Sequence, residues 1–201
     1  MRILITGGGG DLSKIFCKLL SPLGDIDCPS RTEMDVTDID SVGNYIGETK
    51  YDVVINNAGV LHSAVLKDSE PLKWINDINV NLIGTYLATR KVAENNISVK
   101  IINISSTAAF NAYKDWSSYC CSKAGVVTFT KCLASDGYNA YCLCPGAIDT
   151  KFRKQFNITN PNIMDAETVG NVLLDVVNGK YKAGDILFFR KNEFIINPVF
   201  S

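Results

Sequence analysis

Apolar and polar positions alternate between two rhythms along this chain. Short β-rich apolar runs occupy residues 2–6, 26–29, 52–55, 100–105, 140–143 and 185–189, each only long enough for a strand. Between most of them the spacing changes to i, i+3, i+4, which predicts helices over 12–20, 39–48, 71–94, 118–134 and 166–178. Strands that are apolar throughout and alternate with amphipathic helices predict parallel β-α-β units, with helices covering both faces of the sheet. The expected architecture is therefore a doubly wound α/β (Rossmann) fold. One interval is too short for the pattern: Thr32, Glu33 and Met34 lead from Arg31 straight into Asp35-Val36-Thr37-Asp38, so the second crossover has no helix and reads as a loop.

A chain of 201 residues with 46% hydrophobic and 20% charged residues carries enough apolar material for one packed domain over 1–201. The 20 Lys and Arg against 21 Asp and Glu leave no basic excess, which argues against nucleic acid or an anionic membrane as partner. No apolar run approaches a membrane span, and the first six residues read as a strand rather than a signal peptide, so a cytoplasmic protein is expected. Seven cysteines include no Cys-x-x-Cys pair, and a single His62 cannot complete a zinc set. The thiols are expected to be reduced packing residues, with no metal site.

Thr6-Gly7-Gly8-Gly9-Gly10-Asp11-Leu12 follows the first strand and opens the first helix. In that context a glycine turn lets backbone N–H groups approach a diphosphate, although a turn of this kind can also bind nothing. The third glycine of the usual spacing is replaced by Ser13, which is small enough for close helix packing. Cofactor choice turns on the end of the second strand. Asp27, 20 residues after Gly7, stands where an acid commonly binds a ribose hydroxyl and favours NAD. Gly24 marks the turn before this strand, however. That places Asp27 within it and Ser30-Arg31 at its carboxyl end, where a guanidinium would face a 2'-phosphate. NADP(H) is favoured over NAD(H).

Tyr119 and Lys123 open a helix at i, i+4 spacing, which puts a phenol and an ammonium on one face. An ordinary tyrosine titrates near 10, so proton exchange near neutral pH requires a shift of roughly 3 units, and a neighbouring cation has the right sign to supply it. The pair alone is a common surface pattern.

Together these residues resemble the short-chain dehydrogenase/reductases over nearly the whole chain. The landmarks are the glycine turn, Asp35-Val36, Asn56-Asn57-Ala58-Gly59, Asn81, and Ser105-Ser106 ahead of Tyr119 and Lys123 with 13 residues from Ser106 to Tyr119. The resemblance implies a catalytic set of Asn81, Ser106, Tyr119 and Lys123. Tyr119 would exchange the proton, Lys123 would lower its pKa and bind the nicotinamide ribose, Ser106 would hydrogen-bond the substrate oxygen, and Asn81 would hold a relay water. It further implies a cofactor site of Gly7, Gly9, Gly10, Asp11, Leu12, Ser30, Arg31, Asp35, Val36, Asn57, Ala58, Gly59, Tyr119, Lys123, Pro145, Gly146, Ile148 and Thr150. Asp35-Val36 would follow a third strand. Asn56 reads equally as a side chain that pins strands together.

The implied reaction is hydride transfer between NADP(H) and a small carbonyl or alcohol substrate, by a homodimer or homotetramer joined through helices 71–94 and 118–134. Two other readings remain open: a cofactor-binding regulator without turnover, and a nucleotide-sugar reductase, which the short first half suggests. The substrate side is expected from residues 61–66, 107–116 and 151–163, with Phe110, Tyr113 and Trp116 as an apolar wall and His62 nearby.

Overall fold

The computed structural model describes residues 1–156 and 160–199. Its centre is a seven-stranded sheet in the order β2-β1-β3-β4-β5-β6-β7. The strands are β1 (Arg2–Ile5), β2 (Asp25–Asp27), β3 (Val53–Asn56), β4 (Lys100–Ile104), β5 (Asn139–Pro145), β6 (Ile186–Arg190) and β7 (Glu193–Ile196). The first six are parallel, and β7 returns antiparallel on β6, from Leu187 opposite Ile196 to Arg190 opposite Glu193. This last strand is absent from the apolar-run reading because all four of its residues are exposed and its outer face carries no burial pattern.

The helices are α1 (Asp11–Leu20), α2 (Ile39–Ile46), α3 (Pro71–Ile78), α4 (Gly84–Asn95), α5 (Ser117–Ser135), α6 (Lys151–Lys154) and α7 (Ala166–Val177). Strand residues alternate between two interiors because successive side chains point to opposite faces. Ile3, Ile5, Ile55 and Ile102 pack with Phe16 and Leu20 of α1 and with Val169 and Leu173 of α7. Leu4, Val54 and Ile101 face the other way, onto Val42 and Ile46 of α2 and Val92 of α4. Both faces are dry, which explains why these strands read as unbroken apolar runs.

The stretch from Ser30 to Asp38 is a turn, as expected: the Ser30 N–H and hydroxyl donate to Glu33, and Asp38 caps α2 by accepting from the Asp40 and Ser41 N–H groups; the second crossover nevertheless carries a helix, because α2 lies between β2 and β3. The strand expected before Asp35-Val36 is not there. The chain runs from β2 through this turn into α2, because fewer than a dozen residues cannot return the chain for another parallel strand. Buried Met34 and Val36 anchor the turn to the core beside Val42 and Val80, so Asp35 still reaches the carboxyl edge of the sheet. The helix expected over 71–94 is interrupted by a π-helical turn, Asn79–Ile83, in which the Gly84 N–H donates to the Asn79 carbonyl. Such one-turn widenings commonly occur at functional positions.

Candidate active site

The carboxyl ends of β1 to β5 open onto one cleft of about 1170 Å³. At its floor β1 runs into the glycine turn. Gly7 sits at φ +76, and a Cβ there would lie 2.8 Å from the Ala58 Cα, so only glycine lets the two backbones pass; at Gly9 a Cβ would meet nothing. Ser13, standing where a third glycine was expected, is fully buried and donates its hydroxyl to the Gly7 carbonyl at 2.6 Å, while Asn57 Nδ2 donates to the Ser13 oxygen at 2.8 Å. The Thr6 hydroxyl oxygen accepts from the Asn57 and Ala58 N–H groups, both at 3.0 Å. Serine thus serves as a polar clasp as well as a small residue. The α1 helix begins at Gly10 with no side chain capping its N–H groups, which leaves a positive helix terminus open at the cleft.

Gly7, Gly9, Gly10, Asp11, Leu12, Arg31, Asp35, Val36, Asn57, Ala58, Gly59, Ser106, Tyr119, Lys123, Pro145, Gly146, Ile148 and Thr150 all line this cleft. Two expected residues do not. Ser30 spends its N–H and hydroxyl on Glu33 in the turn beside Arg31. Asn81 lies behind the wall, completely buried at the π turn. Its Oδ1 accepts from the Val60 N–H at 2.8 Å, and its Nδ2 donates to the Val60 carbonyl at 2.9 Å and to the Ser122 hydroxyl at 3.0 Å. That amide clamps the loop after β3. Asn56 proves to be the strand pin, donating to Thr89 and to Asn103, both at 2.8 Å. Asp27 is withdrawn from the cleft by the Tyr51 hydroxyl at 2.7 Å and the Arg2 guanidinium at 3.1 Å. Arg31 takes the end of β2, its side chain 75% exposed and 3.2 Å from Asp35.

Tyr119 and Lys123 share one face of α5, with Lys123 Nζ 5.6 Å from the centre of the phenol ring. Lys123 is 4% exposed and donates to the Ile104 carbonyl at 2.9 Å; burial lowers its pKa to about 8. Burial has the opposite sign for a phenol and raises Tyr119 to about 12, while the neighbouring Ser106 hydroxyl pulls it down. Within the protein itself burial therefore outweighs the lysine at the phenol, and the cationic nicotinamide expected beside it would have the opposite sign. Ser106 stands at the end of β4, its oxygen accepting from the Ala108 N–H at 3.1 Å.

One feature of the site was not legible beforehand. Asp77, 2% exposed, accepts from the His62 N–H at 2.8 Å and from the Ser118 hydroxyl, tying α3 to the residue before Tyr119. Phe152 and Phe156 also line the cleft, on α6 and just beyond it. Both lie in the segment 151–163 expected on the substrate side, though a four-residue helix shows too little of a period to reveal their shared face. Phe110, expected in the apolar wall, instead packs edge-on against Phe188, 5.6 Å between ring centres, in the core cluster beneath α5. Of the expected substrate segment 151–163, residues 157–159 lie outside the described residues.

The doubly wound sheet, with its glycine turn beneath a cleft at the carboxyl edge, defines a Rossmann-type α/β protein. Residues 30–161 match the family model for short chain dehydrogenases, and the chain belongs to that family. It is 33% identical over 124 residues to a 3-oxoacyl-acyl-carrier-protein reductase of Chlamydia trachomatis, covering 58% of this chain and 50% of that protein. The chain spans about half the length of the curated relatives it matches. Its fold superposes on a gluconate 5-dehydrogenase of Burkholderia cenocepacia in complex with NADP and tartrate, with a TM-score of 0.84 at 23% identity over 94% and 93% of the two chains. A 3-ketoacyl-(acyl-carrier-protein) reductase of Brucella melitensis complexed with NADH superposes at 0.81 and 21% identity, over 92% and 94%.

Proposed function

We propose that this protein is an oxidoreductase that moves a hydride between NADP(H) and a small carbonyl or alcohol. The observation that carries the reading is the convergence of Ser106, Tyr119 and Lys123 at the wall of the cleft that the glycine turn floors. The turn fits a dinucleotide because Gly7 admits no Cβ, Gly9 is open to the cleft and the first N–H groups of α1 have no side-chain cap. Gly7, Gly9, Gly10, Asp11 and Leu12 would hold the diphosphate, Asp35 and Val36 the adenine, and Asn57, Ala58 and Gly59 the adjoining ribose. Pro145, Gly146, Ile148 and Thr150 would hold the nicotinamide end. Arg31 favours NADP(H), since its exposed guanidinium stands at the end of β2 while Asp27 is engaged elsewhere. The bound nicotinamide supplies or accepts the hydride and, when oxidised, a positive charge beside the phenol.

Tyr119 would donate its proton to the nascent alkoxide in reduction and accept it in oxidation. Ser106 would donate a hydrogen bond to the same substrate oxygen, fixing its position and stabilising charge as it develops. Lys123, protonated below pH 8, favours the phenolate electrostatically and would bind the nicotinamide ribose, its Nζ lying 3.6 Å from the Cβ position of Gly59. Asn81 would hold the relay water that links Lys123 to solvent and, through its grip on Val60, position the loop after β3. The seven free thiols suit the reducing cytoplasm, and the exposed Tyr86 on α4 suits a homodimer or homotetramer. The test follows reduced-nicotinamide absorbance across aldehydes, ketones and alcohols, with Tyr119→Phe as control. Turnover that survives that substitution would overturn the proposal.

A further inference from the structure

Five aromatic rings line the substrate end of the cleft. Trp116 lies 5.8 Å from Tyr119 and 5.7 Å from Phe156, Tyr119 lies 6.4 Å from Phe152, and Phe152 lies 5.8 Å from Phe156, so four rings close a loop with the proton-exchanging phenol at one corner. Tyr113 extends it, 5.5 Å from Trp116 and tilted at 66°. Every separation falls in the range that aromatic pairs prefer, and most of the pairs stand edge to face. Tyr113 is 42% and Phe152 37% exposed, which leaves ring surface for a ligand to cover.

We infer that the substrate is an aryl ketone or the corresponding aryl alcohol, whose ring continues this aromatic cluster while its oxygen meets Tyr119 and Ser106. The inference rests on the hydride-transfer reading above and adds the substrate class. Anchoring the oxygen at Tyr119 forces one carbonyl substituent against Trp116 and Phe152, since both rings touch the phenol. A flat ring there gains edge-to-face contacts that a saturated ring of the same size lacks, each contact being worth roughly 2- to 10-fold in binding. A polyhydroxylated chain laid along these rings would bury hydroxyls against carbon faces, with hydrogen bonds on offer only from polar side chains elsewhere in the lining, such as His62 and Asp115.

The test compares 1-phenyl-1,2-propanedione, its cyclohexyl counterpart and a polyhydroxylated ketone with NADPH. The expected kcat/KM for the phenyl compound exceeds that for the cyclohexyl compound by on the order of tenfold, and Trp116→Leu and Phe152→Leu each shrink that ratio. A ratio near one in the unaltered protein, a ratio unmoved by both variants, or faster polyol turnover would overturn the inference. Binding is read separately by quenching of Trp116 emission in Trp74→Phe protein, which carries a single indole, with NADP+ present. Phenyl-compound binding without turnover keeps the aromatic site and overturns the hydride-transfer reading. Turnover without phenyl preference does the reverse, and absence of both binding and turnover overturns the aromatic site.

Discussion

Replacing Lys123 with methionine should abolish turnover yet raise thermal stability at neutral pH. The lysine is 4% exposed, and burial moves its pKa from the ordinary 10.5 to about 8. Keeping it charged in the folded state therefore costs about 3 kcal/mol. Methionine fills a similar volume without charge. It forfeits the 2.9 Å hydrogen bond to the Ile104 carbonyl, a loss of roughly 1 to 2 kcal/mol. The net gain at pH 7 is about 1 to 2 kcal/mol, or roughly 2 to 8 °C in a chain of this size.

The pH dependence gives this expectation its sign. Between about pH 8 and 10.5 the folded lysine is neutral while the unfolded one is still protonated. The unfolded state then binds more protons, and the stability of the unaltered protein rises with pH through that window. The variant has no such group. Thermal melts of both proteins at pH 7 and at about pH 9.5 should show the methionine advantage shrinking by roughly 2 kcal/mol. A variant that melts lower at pH 7, with a gap that pH does not move, would refute the account of a desolvated ammonium.

Other expectations follow from single distances. Tyr119→Phe should lower kcat by about 10²- to 10⁴-fold while equilibrium cofactor binding, measured by fluorescence titration, weakens far less. Arg31→Ala should raise the KM for NADPH by about 10-fold or more and leave NADH kinetics nearly unchanged; equal losses for both cofactors would remove Arg31 from the 2'-phosphate. Gly7→Ala forces a Cβ to 2.8 Å from the Ala58 Cα at φ +76; it should lower stability by about 1 to 3 kcal/mol in a denaturant titration and weaken cofactor binding along with it.

The fold class was readable because two periods, 2.0 and 3.6, leave separate marks in the apolar positions, and because both faces of the central strands are buried. The glycine turn and the Tyr119–Lys123 pair were also readable, since each is local: a turn or one helical turn brings its members together whatever surrounds them. Chain length likewise dictated the turn after β2, although the crossover as a whole carries α2 beyond Asp38. What lies between Arg31 and Asp38 cannot span a sheet.

Distance along the chain hid the rest. Whether Asn81 faces the cleft or the Val60 backbone depended on a π turn that no hydrophobic pattern records. Asp77 gained its place only when α3, the loop at His62 and the start of α5 met around it. Phe152 and Phe156 joined Trp116 across more than thirty residues of intervening sequence, and Phe110 left the group because β6 presented Phe188 to it. Burial, finally, set the titration of the paired residues. Sequence placed an ammonium beside a phenol. Only the packed interior decided that desolvation, acting with opposite sign on the two groups, raises one to about 12 and lowers the other to about 8.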